Sequence, residues 1–166
     1  MHVQIRLAQK TELNEIIQLL KDSARWLQIN EIDQWSYLLS GGEDDEIELA
    51  ILKNETYVVE YDNRIIGTFT ISSNQSKWDL EIWGKKEDRS LYLHRLAVRN
   101  EFKGNGLGYK MIRWIEEKFS DQFTYLRLDC VANNQKLNKF YEAYGFTFFG
   151  SIDEFNKYEK RLSEMM

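Results

Sequence analysis

The chain has 166 residues, 43% of them apolar and 30% charged, with a net charge of −5. That length suits a single domain, 1–166, with a real hydrophobic core, and that composition excludes a disordered chain. The acidic balance argues against nucleic acid as a partner, because no basic excess exists to neutralise phosphates, and no apolar run is long enough to span a bilayer.

The N-terminus, M-H-V-Q-I-R-L-A, alternates apolar and polar residues, which reads as a strand over 3–7 and not as a signal peptide. Thr11 looks like an N-cap, and Leu13, Ile16, Ile17, Leu20, Ala24 and Leu27 follow at helical spacing. Gly41 and Gly42 break the chain before a short helix over 44–53. T-Y-V-V-E-Y, the turn Asp62-Asn63 and R-I-I-G-T-F-T-I together spell a β-hairpin. Residues 72–89 are polar with two tryptophans, and are expected to be part strand, part loop. A strand over 91–98, a helix over 106–119, a strand over 125–132 and a helix over 134–144 follow, with Gly145 as the helix stop. Strands over 146–152 and 155–162 close the chain. The order β-α-α-β-β-β-α-β-α-β-β implies an α/β (α+β) fold: a mixed, mostly antiparallel sheet of about seven strands flanked by about four helices. One right-handed β-α-β crossover, 91–132, makes its two strands parallel or near neighbours.

That crossover carries F-K-G-N-G-L-G-Y-K-M, with glycines at 104, 106 and 108. Glycines at a strand-to-helix junction let backbone N–H groups approach an anion at the positive end of the helix dipole. Arg99, Lys103, Lys110 and Arg113, against one acid, Glu101, make this segment locally basic, which suits a small anionic ligand or simply a solvated helix face. The pattern is not a P-loop, since no Lys-Ser or Lys-Thr follows. It is also not the dinucleotide pattern G-x-G-x-x-G, although Asp129 lies where a ribose-binding acid would sit. A dinucleotide domain needs several βα units, and this chain offers one.

The segment 91–108 resembles the cofactor-binding motif of the GNAT N-acetyltransferases, [QR]-x-x-G-x-[GA] after a strand with a small apolar end. Lys103-Gly104-Asn105-Gly106-Leu107-Gly108 fits it, with lysine at the first position. Residues 134–146 look like that family's N-x-x-A-x-x-[LF]-Y-x-x-x-G-F element, with Leu137 in place of alanine. The resemblance implies an acetyl-CoA-dependent N-acetyltransferase acting on a primary amine by direct attack in a ternary complex, with no metal. It implies that backbone amides of the loop hold the pyrophosphate, and that Leu96, Ala97 and Val98 offer backbone to pantetheine and to the thioester oxygen. It implies that Tyr141 protonates the departing thiolate, although Leu137, Phe140, Tyr141 and Tyr144 also read as a core stripe. Asn134 is either an N-cap or a contact to pantetheine.

The family often carries a glutamate on the strand before the loop; here none is present. By strand alternation, Tyr92 and His94 share a face with Leu96 and Val98, so His94 is the candidate base, with Glu81 and Asp129 behind it. Cys130, the single cysteine, reads as a buried core thiol, since no base is recognisable beside it. In this family the acceptor pocket usually forms near the first helices, so Trp26, Gln34 and Trp35 are its candidate residues. The acceptor is expected to be a small-molecule or peptide amine, the protein a cytoplasmic monomer or homodimer. The competing reading is a catalytically silent CoA-binding sensor or interaction module; a nucleotide-binding dehydrogenase ranks third.

Overall fold

The computed structural model describes residues 1–30 and 41–162. It contains a seven-stranded sheet in the order β1-β2-β3-β4-β5-β7-β6. The strands are β1 (Gln4–Leu7), β2 (Thr56–Tyr61), β3 (Arg64–Ser72), β4 (Ser90–Val98), β5 (Tyr125–Val131), β6 (Thr147–Ile152) and β7 (Phe155–Arg161). Five α-helices lie among the described residues: α1 (Leu13–Ile29), α2 (Asp44–Leu52), α3 (Lys77–Trp83), α4 (Leu107–Phe119) and α5 (Gln135–Ala143). Four match the helices read from periodicity. The fifth, α3, replaces the strand-and-loop expectation for 72–89. Its start is held by a capping box, in which the Ser76 hydroxyl accepts from the Asp79 amide and Asp79 returns an acceptor to the Ser76 amide. Thr11 is not the cap of α1: it lies inside a 3-10 turn, Lys10–Glu12, and Glu12 precedes the helix.

The chain divides into two compact units. One comprises Met1–Thr70 and His94–Trp114. There β1 pairs antiparallel with β2, and β2 with β3, as the Asp62-Asn63 turn requires; both turn residues take the left-handed region. Its core joins Ile16, Leu19, Leu20 and Ala24 of α1 to Ile47 and Ile51 of α2, Val58, Ile65 and Ala97. The helical spacing of those α1 residues puts them on one face, so burial of that stripe is what holds the helix down.

The second unit comprises Ile71–Leu93 and Ile115–Met166. There β4 runs parallel to β5 from Ser90↔Tyr125 to Tyr92↔Arg127, the expected crossover partners. Strand β5 pairs antiparallel with β7 along its whole length, and β7 with β6. Alternation on β5 then sorts its side chains onto two faces. Arg127 and Asp129 meet α3, and Cys130 meets α5.

Candidate active site

The glycine loop is open and shaped for an anion. Gly104 and Gly106 take φ of +84° and +72°, and a Cβ built on either would meet nothing within 4 Å. The glycines are therefore needed for backbone conformation and not for lack of room. Left-handed residues at alternate positions turn successive N–H groups toward one side, the concavity that binds anions. Among the described residues, no acceptor meets the amides of Gly104, Asn105 and Gly106. The Gly106 carbonyl accepts the first helical bond of α4, from the Lys110 amide at 3.1 Å, so the loop runs directly into the helix start. The loop's base is fixed: the Asn105 side-chain amide donates to the Phe102 carbonyl at 3.0 Å, and the Phe102 ring packs edge-on to Tyr61.

The basic side chains of this segment have other work. Arg99 donates to the Ile65 carbonyl at 2.6 Å and pairs with Glu15. Lys110 donates to the Met1 carbonyl at 2.7 Å, and the Lys103 ammonium lies 3.5 Å from the centroid of the Trp26 ring. The local positive charge inferred from sequence is thus engaged within the protein at all four positions, Arg113 included, and the loop's backbone is what remains to meet an anion. Trp26 meets the loop lysine. Gln34 and Trp35 lie outside the described residues.

On β4, His94, Leu96 and Val98 are half-buried and Ala97 is buried. Between them, Arg95 takes φ of +53°, a left-handed residue inside a strand, held by a 2.8 Å bond from its Nε to Glu43 and a second pair to Glu46. A residue in that region interrupts the pleat, so the alternation that grouped Tyr92 and His94 with Leu96 and Val98 does not carry across it.

Tyr141 sits on α5, which both ends fix firmly. Asn134 caps the start, its Oδ1 accepting from the Leu137 amide at 3.1 Å. At the other end Gly145, at φ +91°, allows the Phe146 amide to bond the Tyr141 carbonyl at 3.0 Å and the Gly145 amide to bond the Glu142 carbonyl at 3.4 Å. That double closure is a Schellman motif, so the sequence's glycine stop also locks the backbone of Tyr141. The ring is buried and packs edge-on against Phe140 and Phe146. Its hydroxyl forms no hydrogen bond among the described residues. Burial, with the nearby Cys130 and Asp129 adding, holds the phenol far above its ordinary pKa, so it keeps its proton.

Cys130 is buried, its thiol donates to the Asn138 Oδ1, and burial pushes its pKa up to about 12. A thiol so protonated is a poor nucleophile. Glu81 is exposed, and Asp129 is half-buried with both oxygens accepting from the Trp78 indole N–H at 3.1 Å.

Sequence reasoning missed two polar centres. Asn138 is buried, and its Nδ2 donates to the carbonyls of Val131, Ala132 and Asn134 while its Oδ1 accepts from Cys130, Asn156 and Tyr158. A polar residue one turn after Asn134, in line with the buried face of α5, was the signal. Arg127 is also buried; it pairs with Asp88 at 2.6 Å and Glu159 at 2.8 Å, bonds Ser90 and Tyr92, and lies near the Trp83 ring. Its partners are scattered along the chain, so no local pattern announced it. Among the described residues, no group of three or more His, Cys, Asp or Glu could hold a metal ion.

The comparisons with known proteins agree with this geometry. The model of the acetyltransferase (GNAT) family matches residues 16–146. An uncharacterised N-acetyltransferase of Bacillus subtilis, YesJ, is 34% identical over 155 residues, covering 92% of this chain and 86% of that protein. A GNAT-family acetyltransferase from Listeria monocytogenes superposes with a TM-score of 0.84 at 33% identity, over 96% of this chain and 94% of its own. The PaiA N-acetyltransferase of Thermoplasma acidophilum, solved with coenzyme A, shares the fold at a TM-score of 0.79 and 17% identity, over 97% and 99% of the two chains. With the glycine loop at a helix start, the capped tyrosine helix and the seven-strand order all in place, this chain belongs to the GNAT acetyltransferase family.

Proposed function

We propose that the protein is an acetyl-CoA-dependent N-acetyltransferase that moves the acetyl group to a primary amine by direct attack, both substrates being bound together. The observation that carries this is the open glycine loop, in which the amides of Gly104, Asn105 and Gly106 meet no acceptor among the described residues and a Cβ on either left-handed glycine would face open space. Such a loop suits the diphosphate of coenzyme A. In this reading Lys103, Gly104, Asn105, Gly106, Leu107 and Gly108 hold the diphosphate, chiefly by backbone N–H. The backbone of Leu96, Ala97 and Val98 pairs with the pantetheine arm and donates to the thioester oxygen as charge builds on it. His94 takes a proton from the bound acceptor ammonium, freeing the lone pair of the amine to attack the thioester carbon, and Asn134 orients the end of the pantetheine arm beside its capping bond.

Tyr141 supplies the proton, or a strong hydrogen bond, to the sulfur as the C–S bond breaks. Its unpartnered hydroxyl and its raised pKa both favour a neutral phenol at every physiological pH. The raised pKa lowers the driving force for full transfer, so much of the benefit is the hydrogen bond itself.

Thiol release from acetyl-CoA in the presence of amines tests the reading. Wild type should release coenzyme A with at least one amine, and Tyr141→Phe should lower kcat by about a hundredfold, the low end of general-acid effects, with acetyl-CoA affinity nearly unchanged. No thiol release with any amine, alongside tight acetyl-CoA binding, would instead establish a silent coenzyme A sensor. Unchanged turnover of Tyr141→Phe at all pH values would remove this residue from the chemistry.

A further inference from the structure

We infer that Arg95 is a positioning residue: its guanidinium, held by Glu43 and Glu46 at the start of α2, keeps β4 in the left-handed turn that presents the backbone of Leu96, Ala97 and Val98 to the pantetheine arm. The inference rests on the acetyl-CoA reading above and adds to it the residue that shapes the strand on which the arm would lie.

Five non-glycine residues take positive φ among the described residues: Asn54, Asp62, Asn63, Asp153 and Arg95. Four are Asn or Asp, whose short polar side chains tolerate that region, and all four lie in turns. Arg95 is the exception on both counts. It has a long side chain, and it stands inside a strand, β4. Nothing in its own chemistry favours φ of +53°, so its surroundings must impose it.

Those surroundings grip the strand at two points. Arg95 Nε donates to Glu43 Oε2 at 2.8 Å, and a terminal nitrogen donates to Glu46 Oε2 at 3.3 Å. The Arg95 and Glu43 side chains are 15% and 20% exposed, so that pair is shielded; Glu46, at 68%, contributes little. Glu43 precedes α2 and Glu46 lies in its first turn. The helix is itself anchored, since Ile47 and Ile51 share a core with Ala97. Further along β4, the backbone is gripped by β3. The Arg99 amide donates to the Ile66 carbonyl at 2.8 Å, and a Cβ on Gly67 would stand 3.2 Å from the Ala97 carbonyl oxygen. With position 95 held from α2 and positions 97–99 held from β3, the direction of the intervening amides is set before any ligand arrives. A backbone donor needs that pre-set direction to meet a developing oxyanion. An ion pair that serves stability alone requires no left-handed backbone at its arginine.

Glycine separates a backbone role from an ion-pair role. Arg95→Ala and Arg95→Gly both lose the clamp, but only glycine accepts positive φ without penalty. Isothermal titration with acetyl-CoA and with adenosine 3′-phosphate 5′-diphosphate, the part of coenzyme A that lacks the pantetheine arm, reads the difference. Arg95→Ala should bind acetyl-CoA about tenfold more weakly than wild type, the size of an ordinary left-handed penalty, and Arg95→Gly only about threefold. Glu43→Gln, which leaves Arg95 in place and removes its shielded partner charge, should also lose about threefold. The nucleotide fragment should bind all four proteins alike, because the loop at 103–108 is untouched; a merely structural lesion would weaken both ligands together. The inference fails if Arg95→Ala binds acetyl-CoA like wild type, if glycine is no better than alanine, if Glu43→Gln binds like wild type, or if fragment affinity falls in parallel. Wild type that binds neither ligand overturns this inference and the acetyl-CoA reading together. The expected binding pattern without thiol release from any amine would overturn the transfer reading and leave this one standing. Thiol release by wild type, with Arg95→Ala equally active and equally tight, would do the opposite.

Discussion

Asn138 uses the whole hydrogen-bonding capacity of one amide. Its two N–H groups are shared among three carbonyls and its one oxygen among three donors, all on or beside the strands that flank α5. Removing such a group strands its partners in a buried place, where each unmet donor or acceptor costs on the order of 1–3 kcal/mol. Asn138→Leu is therefore expected to lower unfolding free energy by about 3 kcal/mol, some partners re-pairing with each other or with water. Urea denaturation reads this directly, and a loss below about 0.5 kcal/mol, the scatter of ordinary surface substitutions, would contradict it. Tyr141→Phe makes the contrast: its ring contacts survive and its hydroxyl has no partner to lose, so its stability should match wild type while turnover falls. The two residues lie one helical turn apart on α5. Sequence periodicity marked Tyr141 as part of a core stripe and passed over Asn138, although both are buried on α5.

At the scale of elements, legibility followed locality. The 56–61 and 64–71 hairpin, the glycine loop and the caps of α5 are each written in a few consecutive residues, and each formed with bounds within a residue or two of those expected. Helix α3 was hidden because its seven residues are too few for a periodic stripe, and its stability comes from distant partners: Ile82 and Trp83 cluster with Tyr92, and Trp78 packs on Phe155. The turn at Arg95 was hidden because an arginine gives no sign of a left-handed conformation; its ion pairs with Glu43 and Glu46 hold it there. Arg127 is the buried cation under α3, tied to Asp88, Ser90, Tyr92 and Glu159. Arg127→Ala leaves Asp88 and Glu159 without their cation and should cost about 3–5 kcal/mol, whereas Arg127→Met, with both acids also made neutral, should cost far less. Asp88 adds a pH signature. Its hydrogen bond from Arg127 lowers its pKa to about 2, below the roughly 3.9 of an unfolded aspartate. Its contribution is complete above about pH 4 and is lost as pH falls through 2. Asp88→Asn should flatten that acid limb in a stability-against-pH series; an unchanged limb would assign acid sensitivity elsewhere.

For the molecule as a whole, the chain passes between the two units three times, at Thr70/Ile71 in β3, Leu93/His94 in β4 and Trp114/Ile115 in α4. The family's chemistry was readable because two short motifs, around 103–108 and 134–146, are spaced along that chain order. The acceptor was not, because no motif in the sequence names it. The acetyl-transfer account stands on the glycine loop, so acetyl-CoA binding to wild type and to Gly106→Trp is its most direct test. A Cβ at Gly106 meets no atom within 4 Å, so a side chain there starts into open space and not into the core. The φ of +72° should cost the variant about 1–2 kcal/mol of stability, leaving it folded. Isothermal titration should then give tight binding of acetyl-CoA to wild type and a loss of at least a hundredfold, about 2.7 kcal/mol, in the variant. Equal affinity of the two proteins would contradict the account, because the diphosphate would then lie somewhere other than against the amides of this loop.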